Sequence, residues 1–133
     1  MYKILIVEDD IALCNNIREG ISKWNFEGVI VENFYDILQE FAKHNPHLVI
    51  MDINLPYFDG FYWCGKIRDI SKVPIIFLSS RDTNMDIVMA VSMGGDDYVT
   101  KPFSMDILLA KIQALIRRTY TYGQEDFQLI ECD

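Results

Sequence analysis

Three acids and a lysine stand where short apolar runs end. Glu8 and Asp9 follow the run 2–7, Asp52 follows 47–51, and Lys101 follows 97–100. Ser79 closes a further run, 74–78. A carboxylate can attack phosphorus and form an acyl phosphate, once the repulsion between two anions is removed. A hard divalent ion shared by carboxylate and phosphoryl oxygens removes it, and Mg2+ takes one or two carboxylates with water and phosphate. Asp9 and Asp52 are the candidate Mg2+ ligands, with Glu8 acting through a bound water and the Asn54 backbone carbonyl within reach. Lys101 supplies a point charge for a phosphoryl oxygen, and Ser79 a hydroxyl. Each signal alone is weak, because acid pairs after strands are often helix caps and Lys-Pro pairs are often surface turns. Their force depends on whether one fold brings them together.

The elements needed for that are visible in the apolar pattern. Runs rich in Val and Ile at 2–7, 28–31, 47–52, 73–78 and 97–100 predict strands buried on both faces. Between them the period changes. Cys14, Ile17, Ile21 and Trp24 give a first helix one apolar face, with Asp10 as its cap. Asn33 is the candidate cap of a second helix carrying Ile37, Leu38, Phe41 and Ala42, stopped by the turn 44–46. A third is expected over about 60–70, a fourth over 84–93 ending at Gly94-Gly95, and a fifth opening at Phe103-Ser104. Leu108, Ile112, Leu115 and Ile116 form the inner face of the fifth. Alternating strands and helices predict an α/β fold: a doubly wound, five-stranded parallel sheet, order 2-1-3-4-5, flavodoxin-like. Ligands in such sheets bind at the carboxyl ends of the strands, near the switch point between the first and third. Glu8, Asp9, Asp52, Ser79 and Lys101 all fall there.

Composition narrows the function classes. The 133 residues suit one domain. A net charge of -8 argues against nucleic-acid binding by this surface, which needs clustered bases. No apolar run reaches membrane-spanning length and the N-terminus lacks a signal-peptide pattern, so a cytoplasmic protein with reduced thiols is expected. Cys14 and Cys64 are expected as small core residues, and Cys14, Cys64 and Cys132 lack metal-ligand spacing. After a first domain over 1–119, residues 120–133 read as a linker and the start of a further domain; a frayed terminus is the other reading.

The combined pattern resembles the receiver domain of bacterial two-component response regulators. It is carried by Ile-Leu-Ile-Val-Glu8-Asp9-Asp10, Val-Ile-Met-Asp52-Ile-Asn-Leu-Pro56 with Asp59-Gly60, Pro74-Ile-Ile-Phe-Leu-Ser79-Ser80, and Gly95-Asp-Asp-Tyr98-Val-Thr-Lys101-Pro-Phe103. The resemblance covers about residues 2–118. It implies that Asp52 accepts a phosphoryl group from a sensor histidine kinase, with Mg2+ at Glu8, Asp9, Asp52 and the Asn54 carbonyl. It also implies phosphoryl-binding and switch roles for Ser79, Ser80, Lys101 and Tyr98. The segment from Gly95 to Arg118 is similar to the OmpR/PhoB subfamily, whose members add a winged-helix DNA-binding domain. The stretches 58–64 and 77–82 are similar to regulators of bacitracin and antimicrobial-peptide resistance. No enzyme beyond self-phosphorylation and self-dephosphorylation is implied.

The subfamily pattern implies a homodimer through the fourth helix, fifth strand and fifth helix. Asp96 and Asp97 fit charge pairs with Lys111 and Arg118, whereas Ile87 and Ile107 stand where a charged pair is common. With Val91 beside them, this predicts a more apolar interface. Met85, Met89 and Met93 make the fourth helix apolar nearly all round, which suggests a partner surface. FMN binding is disfavoured because the first loop reads Glu-Asp-Asp. The remaining rival is a receiver-like interaction module that is never phosphorylated, and such modules usually lose an acid or the lysine.

Overall fold

Side chains that alternate in direction along a buried strand must find apolar partners on both sides, and here they do. In the computed structural model, which describes residues 1–122, every residue of the third and fourth strands is buried. The chain runs β1 (Tyr2–Val7), α1 (Ile11–Ser22), β2 (Phe26–Ile30), α2 (Ile37–His44), β3 (Leu48–Met51), α3 (Gly60–Arg68), β4 (Ile75–Ser79), α4 (Asn84–Ser92), β5 (Asp97–Thr100) and α5 (Met105–Ile116). A π-helical turn, Arg117–Tyr122, continues α5. The five strands are all parallel and lie in the order β2-β1-β3-β4-β5, as expected.

Alternation along the strands divides the core into two layers. Ile4, Ile6, Ile50, Ile76 and Leu78 face one way, onto Cys14, Ile17 and Ile21 of α1 and Leu108, Ile112 and Ile116 of α5. Leu5, Val7, Val49, Met51 and Phe77 face the other, onto Ile37 and Phe41 of α2, Cys64 and Ile67 of α3, and Ala90 of α4. Full burial of each Val, Leu, Ile, Phe or Met among them stabilises by about 1.5–3 kcal/mol before chain entropy is counted.

Several local expectations shift. Trp24 lies beyond α1, which closes at Ser22, and is 58% exposed. Asn25, at φ 67°, turns the chain so that β2 begins at Phe26. Asp36, not Asn33, caps α2: its carboxylate accepts from the Gln39 N–H at 3.0 Å, while Asn33 accepts from Tyr35. Ala42 is exposed. Gly94 follows α4 at φ 103°, a conformation that suits a glycine stop. The expected linker also begins with packed residues. Tyr120 stacks on Tyr2 at 5.6 Å, meets His47 edge-on, and donates its hydroxyl proton to the His47 carbonyl at 2.5 Å. Residues 123–133, including Cys132, lie outside the described residues.

Candidate functional site

The sheet register brings the charged groups together. Val7 pairs with Met51, so Glu8 and Asp52 leave adjacent strands side by side, and the Asp52 N–H donates to the Val7 carbonyl at 2.9 Å. At the other edge the Lys101 N–H donates to the Ser79 carbonyl at 2.9 Å, which fixes where the lysine starts. Carboxylate oxygens of Glu8, Asp9 and Asp52 lie within 4.8 Å of one another. Glu8 and Asp52 are buried, at 3% and 5% exposure, and Asp9 faces solvent. Two buried carboxylates this close require compensation, because desolvation and mutual repulsion both oppose charge.

Lys101 supplies part of it. Its ammonium donates to Glu8 and reaches Asp52 Oδ2 at 3.3 Å. Desolvation pulls the lysine pKa down, but the Glu8 hydrogen bond and the charges of Asp52 and Glu8 outweigh it, and the net shift is upward. Backbone donors share the load: Ile53 N–H to Asp52 Oδ1 at 2.7 Å, and Asp10 N–H to Glu8 Oε2 at 3.0 Å. The Asp9 carboxyl is still raised, by desolvation and then by Glu8 beside it. One cation among three acids leaves the cluster negative. Its donors are all oxygens, one of them at the surface, which is the chemistry a hard divalent ion such as Mg2+ requires. The residues therefore fit such an ion. Asn54 and Ser80 are exposed on the loops leaving β3 and β4.

Ser79 and Tyr98 are joined through Arg81. The buried Ser79 Oγ accepts from the Arg81 N–H at 3.2 Å, and the Tyr98 hydroxyl donates to the Arg81 carbonyl. The Arg81 guanidinium then holds Asp86 of α4, with Nε at 3.0 Å and Nη2 at 2.9 Å from Oδ1. Asp86 closes a capping box with Thr83, whose hydroxyl donates to Oδ2 at 2.7 Å. Sequence reasoning did not assign Asp86 or Thr83; the signal was Thr83-x-x-Asp86 ahead of an apolar stretch.

These contacts lower the Asp86 pKa, the Thr83 hydrogen bond first and Arg81 after it. A depressed carboxyl contributes stability above its unfolded value of 3.8, lost as pH falls through the lower folded value. Asp86→Asn is expected to lower the melting temperature by a few degrees at pH 7. The deficit should shrink below pH 3.8, as a thermal scan at both pH values would show.

The expected dimer-face residues are placed as follows. Ile87, Val91 and Ile107 are 38%, 67% and 55% exposed, and Arg118 is exposed. Asp96 is already held by Arg68 at 2.9 Å and by the Ile75 N–H at 2.8 Å. Asp97 pairs with Lys111 of the same chain at 2.9 Å. Cys14 and Cys64 are buried, and desolvation pushes both thiols up to about 11, so neither is a thiolate at neutral pH. No helix among the described residues is long and apolar enough to cross a membrane.

Comparison with known proteins gives this geometry a context. The sensory transduction protein BceR of Halalkalibacterium halodurans is 50% identical over 129 residues, spanning 97% of this chain and 56% of that protein. The response regulator protein GraR of Staphylococcus epidermidis is 48% identical over 124 residues, 93% of this chain and 55% of that one. The chain thus spans about half the length of the curated relatives it matches. Among solved structures, the N-terminal domain of the nisin resistance regulator NsrR, a lantibiotic response regulator, aligns with a TM-score of 0.81 and 45% identity. That alignment covers 88% of this chain and 99% of that one. A two-component response regulator from Clostridium difficile aligns at 0.86 with 28% identity, covering 90% and 99%. The response regulator receiver domain model matches residues 4–113, and the chain belongs to that family of two-component receiver domains.

Proposed function

We propose that Asp52 is the phosphoryl acceptor, and that the observation carrying this is its buried carboxylate, 3.3 Å from the Lys101 ammonium and beside two further acids. In the proposed step a carboxylate oxygen of Asp52 bonds to phosphorus as the phosphorus–nitrogen bond of a kinase phosphohistidine breaks. The leaving electron pair stays on the imidazole. Glu8, Asp9 and Asp52, with the Asn54 carbonyl, would hold Mg2+, which when bound offsets the repulsion between the two anions. Lys101 neutralises an incoming phosphoryl oxygen. A groove of about 380 Å3 lined by Leu13, Phe103, Pro102 and Met105 adjoins Lys101 and can seat an apolar face of the phosphodonor. Hydrolysis of the acyl phosphate at the same site would end the signal.

The readout follows from the Arg81 linkage. Ser79, with Ser80 beside it, turns its hydroxyl toward the new phosphoryl oxygens and gives up the Arg81 N–H. Tyr98 then leaves the Arg81 carbonyl and moves inward, and α4 follows through the Arg81–Asp86 pair. The population shifts toward a form whose α4-β5-α5 face self-associates. Transcriptional control would act through an attached winged-helix DNA-binding domain following a boundary near residue 119, in the cytoplasm. The likeness to NsrR, a nisin resistance regulator, supports a place in antimicrobial-peptide resistance.

The test is mass and oligomeric state with Mg2+, with and without beryllofluoride. A stable adduct with dimerisation is expected; no response in either favours a phosphorylation-independent interaction module. Because Ile87, Val91 and Ile107 are apolar and Asp96 and Asp97 have partners within the chain, the dimer should depend little on ionic strength. Raising NaCl from about 0.1 to about 0.5 M is expected to change its dissociation constant less than about threefold. A steep salt dependence in sedimentation would rule out the apolar interface.

A further inference from the structure

The loop from β3 to α3 holds a tyrosine in a conformation that favours glycine. Tyr57 lies at φ 70°, and the Phe58 N–H donates back to the Pro56 carbonyl at 3.0 Å, which makes Tyr57 the centre of a γ-turn. The neck of the loop is closed by the Gly60 N–H on the Ile53 carbonyl at 2.8 Å. What the turn displays is aromatic. Tyr57 stacks on Tyr35 of the β2–α2 loop at 3.6 Å, and Phe58 stacks on Tyr62 of α3 at 4.3 Å. The four side chains are 66% (Tyr35), 61% (Tyr57), 45% (Phe58) and 38% (Tyr62) exposed. Exposed rings in such density are unusual away from an interface, where tyrosine is an enriched anchor.

Two independent observations indicate what they meet. Beneath the Phe58–Tyr62 pair, Trp63 is 5% exposed and meets both rings edge-on, yet its Nε1–H has no acceptor among the described residues. Two acidic side chains flank the rings. Asp36 and Asp59, beside Tyr35 and Phe58 in the chain, are exposed N-cap carboxylates whose hydrogen bonds come from backbone N–H groups, on a protein of net charge -8. Lys66 already sits 5.5 Å over the Tyr62 ring, so a ring face here accepts a cation.

We propose that Tyr35, Tyr57, Phe58 and Tyr62 form a docking surface for an extended, arginine-bearing segment of another protein. Guanidinium groups stack flat on tyrosine rings and fork onto carboxylates, and Asp36 and Asp59 stand ready for the second contact. A backbone carbonyl of the segment gives the Trp63 N–H its acceptor as Phe58 shifts. A second copy of this chain fits poorly, because it brings the same acids to the same face.

The test is an NMR titration of the labelled chain, with Mg2+ present, using a short acetylated peptide of alternating arginine and leucine. Its glutamate-for-arginine counterpart serves as control. Saturating shifts at Tyr35, residues 57–62 and the Trp63 indole N–H are expected for the arginine peptide alone. Tyr57→Gly should weaken binding about tenfold or more. Glycine adopts φ 70° freely, so this variant keeps or raises the melting temperature and still forms the beryllofluoride adduct, separating lost docking from lost fold or lost phosphorylation. Shifts elsewhere, equal binding of the glutamate peptide, no binding, or concentration-dependent shifts without peptide would each overturn the proposal.

Discussion

Asp52→Asn is expected to abolish phosphoryl incorporation while leaving the fold in place. The amide matches the carboxylate in size, and its oxygen can still accept the Ile53 N–H that now reaches Oδ1 at 2.7 Å. What it lacks is the anionic oxygen that attacks phosphorus and the charge that helps hold a divalent ion. With acetyl phosphate and Mg2+, incorporation followed by intact mass should fall about a thousandfold or more. Stability should hold or rise, because one of three clustered acids is neutralised and Lys101 keeps Glu8. An acid-labile phosphoryl group on the variant would mean that Glu8 or Asp9 is the acceptor, and the assignment of Asp52 would fail.

Gly60→Ala should damage fold and site together. A Cβ at Gly60 would stand 2.1 Å from the Asp52 carbonyl oxygen and 3.0 Å from the Ile53 Cα. Those are backbone atoms at the end of a central strand, with no rotamer to change. Relief requires moving either the start of α3 or the strand end that carries Asp52. The cost should be about 3 kcal/mol or more, read as a lowered urea midpoint, and phosphorylation of the folded fraction should slow as well. Gly65→Ala is the contrasting case. Its Cβ meets only the Met93 methyl at 2.9 Å, the end of a flexible side chain, and a helix interior favours alanine. A change of less than about 1 kcal/mol is expected there.

The contrast between these glycines shows what a sequence reveals and what it leaves hidden. The sheet could be read because β3 and β4 are buried on both faces, and burial on both faces leaves an unbroken Val/Ile pattern. The acid cluster could be read because strand ends fix where Glu8, Asp52 and Lys101 emerge. Local competition was harder. Asn33 and Asp36 are both good caps, and only the start of α2 at Ile37 decides between them. Trp24 keeps the helical spacing but falls past Ser22, where the chain has already turned. Contacts made by loop side chains left no such pattern. Neither Arg81 bridging Ser79, Tyr98 and Asp86 nor Tyr57 stacked on Tyr35 follows from any spacing along the chain.

Tyr120 belongs with those contacts, and it carries a consequence for signal transmission. Its ring rests on Tyr2, at the opposite end of β1 from Glu8. Six residue steps along the strand separate the two, about 20 Å of rigid sheet. This tie, near the end of the described residues, is therefore remote from the acid pocket. No phosphoryl group at Asp52 can pull on it directly. On the proposed switch, a signal would leave the domain as a change in the α4-β5-α5 face rather than as a tug through this clasp.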